Sequence, residues 1–229
     1  MKHTLMFLTL ALSLNLSAEE RGFVSIFNGK DLSGWTQKGG KAQYTVKDGE
    51  IIGTAVPGTP NSFLCTRKFY GDFILEYEYK CDHRLNSGVQ IRSNAYEQEV
   101  TKKLDNGKTK KFPAGRVHGY QVEIDPNKPD RMWSAGIYDE GRRGWLYPGL
   151  RGGDKAAFTK AGQKIYKPGK WNKVRVECRG EGAQGAVVLA VFEWGVEFSH
   201  ASLPASAITL GRCGPSTIGW RGKSARGAR

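Results

Sequence analysis

The residues best suited to chemistry lie on two short segments, 86–92 (NSGVQIR) and 119–125 (GYQVEID). In both segments apolar and polar residues alternate with a period of two. This pattern predicts β-strands with one face in a core and the other toward solvent. The polar faces carry amide, guanidinium and carboxylate groups, contributed by Gln90, Arg92, Gln121, Glu123 and Asp125. Donors, acceptors and charge on rigid strands suit a hydroxyl-rich ligand such as a sugar.

The elements that must position these residues are many and short. Helical periodicity is scarce, and the 30 glycines, together with Asn and Asp, mark frequent turns. Strands are predicted at 44–46, 50–54, 63–66, 73–81, 89–93, 120–125, 134–138 and 171–178. Many short strands separated by turns predict an all-β fold, an antiparallel sandwich or jelly roll formed by one domain.

The two ends of the chain differ from this pattern. Residues 1–18 combine a short basic start, an apolar stretch at 5–14 and small residues at 16–18, which predicts a secretory signal peptide. The apolar stretch is too short for a permanent membrane anchor, so we expect an exported protein, periplasmic or secreted, with no stable membrane insertion. Residues 179–229 are rich in Gly, Ala and Arg, which predicts an atypical, partly disordered segment and an irregular or incomplete C-terminal end.

The chain is basic, with a formal net charge of +13 over 229 residues. The positive charge is spread rather than striped, and the predicted export argues against DNA or RNA as a partner. The densest basic run, at 102–111, surrounds Asn106 and Gly107 and predicts an exposed hairpin tip or loop. Two interpretations of this run remain open: a solvated loop, or a contact with an anionic envelope glycan.

Several motifs together resemble one known family, the 3-keto-disaccharide hydrolase domain family. The opening motif is FNGKDLSGW at 27–35, and VKDGEIIG follows at 46–53. The remaining matches are LCT at 64–66, YGDF at 70–73, the two polar segments, GIY at 136–138 and WN at 171–172. Each motif is weak alone, but their joint order and spacing are specific. The resemblance covers residues 24–178.

The resemblance implies a concanavalin A-like jelly roll whose curved sheet holds the ligand on its concave side. It also implies carbohydrate substrates, namely glycosides oxidised to a ketone at sugar carbon 3. The closing motifs of the family are absent after Gly180. A frameshift or a divergent end is our hypothesis for this change, which would remove closing strands.

Cleavage next to a ketone needs a base for the carbon 2 proton and a donor for the developing oxyanion. Glu123 is the candidate base because partial burial among polar groups would raise its pKa. Arg92 is the candidate oxyanion stabiliser, since its forked guanidinium is always charged. His118, just before the second strand, is a candidate second acid or base. The alternative is that Arg92 and Glu123 form a cross-strand structural pair.

Other polar and aromatic residues are candidates for substrate binding. Asn86, Gln90, Gln121 and Asp125 could hydrogen-bond sugar hydroxyls. An aromatic and arginine-rich zone at 131–147 supplies rings for stacking on a sugar, among them Trp133, Tyr138, Trp145 and Tyr147. Packing in the core or under loops is the alternative role for these rings.

A glycosidase that retains configuration needs two carboxyl groups about 5–5.5 Å apart. Glu123-Ile124-Asp125 matches the start of the glucanase strand motif on this fold, but the second carboxylate is absent at 126–128. We assign no metal and no cofactor. The main functional alternative is a non-catalytic carbohydrate-binding module, which needs the same groove but no base.

Overall fold

The computed structural model describes residues 22–82, 85–125, 131–180, 185–192, 200–204 and 209–211. Within these residues the chain folds into two main antiparallel sheets and a separate hairpin, and it contains a single α-helix. The prediction of an all-β antiparallel sandwich is therefore confirmed. The predicted signal peptide at 1–18 and the last part of the predicted atypical segment, 212–229, lie outside the described residues.

The first sheet has seven strands within the described residues. They are β1 (Phe23–Ser25), β3 (Gln43–Lys47), β4 (Glu50–Thr54), β6 (Phe73–Cys81), β13 (Asn172–Cys178), β15 (His200–Pro204) and β16 (Thr209–Gly211). The order is β1-β16-β6-β15-β4-β3, and β13 pairs with β6 along the whole of β13. The turn from β3 to β4 has positive φ at both Asp48 (52°) and Gly49 (76°), as a tight hairpin turn requires.

The second sheet carries both polar segments. Its seven described strands are β2 (Trp35–Gly39), β5 (Ser62–Thr66), β7 (Asn86–Ala95), β10 (Val117–Ile124), β11 (Ile137–Glu140), β12 (Gly144–Tyr147) and β14 (Ala186–Phe192). They follow the order β12-β11-β10-β7-β14-β5-β2. Strands β7 and β10 are adjacent, so the two predicted polar segments lie side by side.

The main core lies between the two sheets. Alternate residues of β6 are buried, and they include Phe73, Leu75, Tyr77 and Tyr79. The facing sheet contributes a second set to the same cluster: Leu64, Val89, Ile91, Ile124 and Leu189. Because side chains alternate along a strand, the residues between these positions point to the opposite face of the second sheet. We call that opposite face the outer face.

A hairpin and a helix border the second sheet. The hairpin pairs β8 (Val100–Lys103) with β9 (Thr109–Phe112), which confirms the predicted hairpin around Asn106 and Gly107. The helix α1 (Lys155–Ile165) was not predicted from the sequence. Its N-terminus is capped by Asp154, whose carboxylate accepts from the Ala157 amide at 2.9 Å. Gly162 lets the helix approach the backbone of Met132, because a Cβ there would lie 2.0 Å from the Met132 carbonyl oxygen.

In the part of the chain that the structure describes, no helix has the length and the hydropathy of a membrane span. The segment after Gly180 contributes β14, β15 and β16 to the two sheets. These strands begin in the region where the sequence departs from the motifs of the resembled family.

Candidate functional site

The outer face of the second sheet carries a row of side chains that crosses four strands. The register places Trp145 opposite Tyr138, Tyr138 opposite Gln121, and Gln121 opposite Gln90. Directly opposed residues on one face of a sheet contact one another. Glu123 lies two residues after Gln121 on β10 and therefore shares this face. The structure thus brings together five predicted site residues on one surface.

Glu123 occupies a buried position, and its side chain is held by amides. Its Oε1 accepts a hydrogen bond from Asn86 Nδ2 at 2.6 Å, and its Oε2 accepts one from Gln121 Nε2 at 2.8 Å. Only 4% of the residue is exposed. Burial raises the pKa of Glu123 to about 7, although the two amide donors oppose this rise. Glu123 can therefore exchange a proton near neutral pH.

The sequence predicted that the polar face meets solvent, and this was wrong. Gln90, Gln121, Glu123 and Asp125 are all buried. Alternation shows that a face is polar, but it cannot show whether distant parts of the chain cover that face. The buried polar side chains instead form hydrogen bonds with one another; for example, Gln90 Nε2 donates to Gln121 Oε1 at 3.1 Å.

The other buried acids near Glu123 are each paired with arginine. Asp125 Oδ2 accepts from Arg131 Nε at 2.7 Å, and Glu140 forms an ion pair with Arg116. On the opposite face of β11, the buried Asp139 binds both Arg142 and Arg143. Glu123 differs because its two hydrogen bonds come from neutral amides. Burial favours the protonated form most strongly in an acid that has no cationic partner.

An aromatic wall stands next to the carboxylates. The ring centroids of Trp133 and Trp145 lie 4.7 Å apart, and those of Tyr138 and Trp145 lie 5.4 Å apart, both pairs edge to face. The Arg131 guanidinium lies 5.1 Å from each of the two indole rings. All three rings are partly exposed. The wall therefore combines apolar ring surface with a fixed cation beside Asp125.

Tyr138 links the wall to the acids. Burial raises the pKa of Tyr138 above its ordinary value, and the carboxylates of Glu140 and Glu123 raise it further. The phenol therefore stays protonated at neutral pH and remains a hydrogen-bond donor.

Arg92 does not lie beside Glu123, contrary to the prediction. The pairing of β7 with β10 shifts between His118 and Tyr120, so that Arg92 and Ser93 together oppose Gly119. This is a β-bulge, and Arg92 adopts the positive φ (49°) of the extra residue. The Arg92 guanidinium consequently turns away and donates to Asp72 at 2.7 Å and to the Gly180 carbonyl at 3.0 Å. Ser93 takes the place on the outer face that alternation assigned to Arg92.

His118 and Tyr147 also lie apart from Glu123. The His118 ring packs between Tyr96 and Phe112, with centroids 4.8 and 4.7 Å away, and burial lowers its pKa. His118 lies five positions before Glu123 on β10, which is about 17 Å along a strand. Tyr147 is 45% exposed, and its ring packs against Phe158 of α1. Trp133, in contrast, is held in the wall because its Nε1 donates to Thr159 of the same helix at 2.9 Å.

Sequence reasoning placed Arg131 and Glu140 in a general aromatic and arginine-rich zone but gave neither a role, and it did not consider Arg116. The signal that could have found Arg131 is its position between Asp125 and Trp133. Nothing in the local sequence indicates that Arg116 reaches Glu140 on a neighbouring strand.

Among the described residues, no group of three or more His, Cys, Asp or Glu side chains is arranged to hold a metal ion. The cysteines at 65 and 81 are buried thiols. Burial raises the pKa of the Cys65 thiol to about 12, so it is not a ready nucleophile.

These features define an antiparallel sandwich of the concanavalin A-like class, with a buried acid and an aromatic wall on the outer face of one sheet. The chain belongs to the family of 3-keto-alpha-glucoside-1,2-lyase-like domains, whose family model matches residues 22–191. The family suggested by the sequence motifs is thereby confirmed. The match extends past residue 178, where the resemblance by motifs ended, and includes most of β14.

A curated relative supports the same assignment. The chain is 31% identical over 144 residues to a protein of Bacteroides thetaiotaomicron named 3-keto-disaccharide hydrolase. The alignment covers 56% of this chain and 48% of that protein. The chain therefore spans about half the length of the curated relative that it matches.

Proposed function

We propose that this protein cleaves glycosides that carry a ketone at sugar carbon 3, with net addition of water. The observation that carries the proposal is the state of Glu123, a buried acid held by two neutral amides with a pKa of about 7. A base whose pKa lies near the working pH is suited to proton abstraction. Membership of the family and the name of the curated relative support the same substrate class.

In the proposed first step, Glu123 takes the proton from carbon 2, and the electrons of that bond form an enolate with the oxygen on carbon 3. Each carboxylate oxygen has a lone pair beyond the one used by Asn86 or Gln121, so the base can still accept a proton. Negative charge develops on the carbon 3 oxygen. Arg131 and the Tyr138 phenol, at the aromatic wall, are donors that could stabilise it, and we assign them the role first predicted for Arg92.

In the second step, the enolate re-forms the ketone, and the bond between carbon 1 and its substituent breaks. The substituent leaves as an alcohol by taking the proton that Glu123 removed, which restores the base, and a double bond remains between carbons 1 and 2. Water then adds its hydroxyl at carbon 1 and a proton at carbon 2, which gives the free 3-keto sugar. Trp133 and Trp145 would hold the sugar by stacking, and Asp125 and Gln121 would orient its hydroxyls.

Deuterium incorporation tests this chemistry directly. Turnover of a 3-keto-glycoside in D₂O should place deuterium at carbon 2 of the product, as read by NMR, because water supplies that proton after elimination. The free product incubated alone in D₂O controls for spontaneous exchange next to the ketone. The Glu123→Gln variant should bind the substrate and not turn it over, whereas Arg92→Lys should remain active. Turnover without deuterium at carbon 2 would instead indicate direct hydrolysis.

The second candidate function is a carbohydrate-binding module without catalysis. Its supporting observation is that both oxygens of Glu123 already accept hydrogen bonds within a buried network. Calorimetry with a 3-keto-glycoside separates the two functions: binding by the unmodified chain without release of the leaving group supports the module.

The cellular location of the protein and the boundaries of its domain are also proposals. We propose that residues 1–18 direct export, on their composition, and N-terminal sequencing of the mature protein should then begin near Glu19. We propose that residues 24–178 form the 3-keto-disaccharide hydrolase-like β-sandwich domain and that 179–229 is an atypical, partly disordered segment that arose by a frameshift or by divergence. Resequencing of the gene region tests this, since the missing closing motifs should appear in another reading frame. A contact between the basic hairpin and an anionic envelope glycan remains a further proposal.

A further inference from the structure

The guanidinium group of Arg116 lies across the middle of the outer face. Its Cζ is 5.2 Å from the centroid of the Phe63 ring on β5, and its Nη2 donates to Glu140 Oε1 on β11. In the sheet, β5 and β11 are four strands apart, which is about 19 Å at the usual spacing of strands. Side chains stand roughly perpendicular to a sheet, so on a flat sheet these two would stay that far apart. The sheet therefore curves around the guanidinium group, and the outer face is its concave side.

The floor of the concave face beneath Arg116 is fully buried. Phe63, Gln90 and Val188 each have 0% of their surface exposed. Arg116 is different, because 33% of its side chain is exposed. Arg116 therefore lies between the buried floor and the solvent, and a ligand that enters the concave face here meets its guanidinium group first.

Arg116 also keeps hydrogen-bond donors that its ion pair does not use. In the part of the chain that the structure describes, only Nη2 of its guanidinium group has a hydrogen-bond partner, the buried Glu140. Arg131, by comparison, directs both Nε and Nη2 at Asp125. The Phe63 ring supports the plane of the Arg116 guanidinium group by a cation–π contact. The group is thus held in one orientation, with Nε and Nη1 left to donate.

Tyr138 stands between Arg116 and Glu123 on this face. It lies two residues before Glu140 on β11, and its partner on β10 lies two residues before Glu123. One side-chain repeat, about 7 Å along the strands, separates Tyr138 from the position of each acid. Besides burial, the charges of Glu140, Glu123 and Arg116 act on the pKa of Tyr138, which agrees with their places around its phenol. A single sugar ring over Tyr138 is therefore within reach of both Glu123 and Arg116.

The charge at this position indicates the kind of group that it binds. Glu140 neutralises Arg116, so the pair favours a neutral oxygen over an anionic group. In the proposed substrate, carbon 1 carries the leaving group, carbon 2 faces the base, and carbon 3 carries the ketone. The hydroxyl groups at carbons 4 and 6 are the ones that still lack a partner.

We propose that Arg116 binds the hydroxyl group at carbon 4 or carbon 6 of the 3-keto sugar ring, and that Glu140 holds Arg116 in position for this contact. The inference rests on the proposed function and deepens it. Arg116 thereby selects among sugars that differ in this hydroxyl group, while Glu123 acts at carbon 2.

The test measures kcat/KM for methyl 3-keto-glucoside and for its 4-deoxy and 6-deoxy analogues. Arg116→Met is combined with Glu140→Gln, so that no buried charge is left without a partner. Arg116→Lys is a second variant, which keeps the ion pair but loses the fork of donors. Arg175→Met is the matched control, since Arg175 is an exposed arginine on β13 of the other sheet.

We expect the unmodified protein to be slower with one deoxy analogue by about 10- to 100-fold, the scale of a hydrogen bond from a charged donor. The combined variant should lose about the same factor with the parent substrate, and Arg116→Lys a smaller one. With that analogue both variants should stay within about twofold of the unmodified protein, as should Arg175→Met with all three substrates.

A purely structural arginine would give a different pattern. If the unmodified protein turns over all three substrates equally well, or if the Arg116 variants lower kcat/KM by the same factor for all three, Arg116 does not bind a hydroxyl group, and the proposed function still stands. If the unmodified protein turns over none of the three substrates, the proposed function fails, and this inference fails with it.

Discussion

The Glu123→Gln substitution is expected to make the protein more stable at pH 8 and to leave its stability nearly unchanged at pH 4. The reason is the raised pKa of Glu123, about 7 in the folded chain against 4.5 as the ordinary value. At a pH between these two pKa values, the carboxyl group of Glu123 is ionised in the unfolded chain and still protonated in the folded chain. Stability therefore falls as the pH rises through this window, and the loss is complete above pH 7.

The size of the effect follows from the two pKa values. Their difference, at 1.36 kcal/mol per unit, gives about 3 kcal/mol of stability lost by pH 8. Glutamine is a close substitute for the protonated acid, because it has the same shape, one acceptor oxygen and one donor group. The variant should therefore keep the stability that the unmodified protein has only at low pH.

Urea unfolding of both proteins at pH 4 and pH 8 measures this directly. The quantity of interest is the difference in unfolding free energy between variant and unmodified protein, since other titrating groups contribute equally to both. It should change by about 3 kcal/mol between the two pH values. Glu99→Gln, on the exposed start of the hairpin, controls for the removal of one carboxylate. A difference that is the same at pH 4 and pH 8 would show that Glu123 titrates normally and would remove the main support for its role as a base.

Three further predictions follow from the same contacts. The kcat/KM for a 3-keto-glycoside should rise with pH to a plateau above about pH 7. Gln121→Met should move the midpoint of this rise upward by about one to two pH units, because a hydrogen bond to a charged group is worth about 1.5–3 kcal/mol. An unchanged midpoint would contradict the assignment of Glu123 as the base. Arg131→Lys should lower kcat on the order of 10²-fold, as expected for loss of an oxyanion donor, whereas Arg92→Lys should have little effect on kcat. A larger loss of kcat in Arg92→Lys than in Arg131→Lys would instead indicate that Arg92 stabilises the oxyanion. Asp139→Asn should destabilise the fold by about 3 kcal/mol in urea unfolding, because Arg142 and Arg143 would lose a buried charged acceptor. A loss below about 1 kcal/mol would mean that the two guanidinium groups are hydrated by water instead.

Sequence periodicity predicted the strands that are buried on one face only. Strand β6 has the predicted limits, 73–81, because its apolar and polar residues alternate without interruption and its core face is fully buried. Strand β4 likewise has the predicted limits, 50–54, since the turn at Asp48 and Gly49 fixes its start. The helix α1 was missed because its apolar stripe is short, although Asp154 and the following Lys155-Ala156-Ala157 resemble a helix start.

The site was only partly predictable, and the bulge at Arg92 explains the main error. A β-bulge adds one residue to one strand, so every assignment of side chains beyond it changes face. Nothing in the alternation of segment 86–92 marks the extra residue. The partner strand gives a weak sign, since Gly119 lies opposite the bulge and leaves space for Ser93. The pairing of Glu140 with Arg116 depends on chain segments that come together only in the fold.

Glu123 is the unusual acid of this sheet. Asp125, Asp139 and Glu140 are equally buried, yet each binds at least one arginine, as an acid in a purely structural role requires. A glutamine at position 123 would match the protonated acid, with one acceptor oxygen and one donor group, without the penalty of about 3 kcal/mol at pH 8. A carboxyl group that lowers stability at working pH, on the same face of the sheet as Tyr138 and Trp145, is consistent with a group that moves a proton. The gain in stability at pH 8 over the unmodified protein and the loss of deuterium incorporation should therefore appear together in the Glu123→Gln variant.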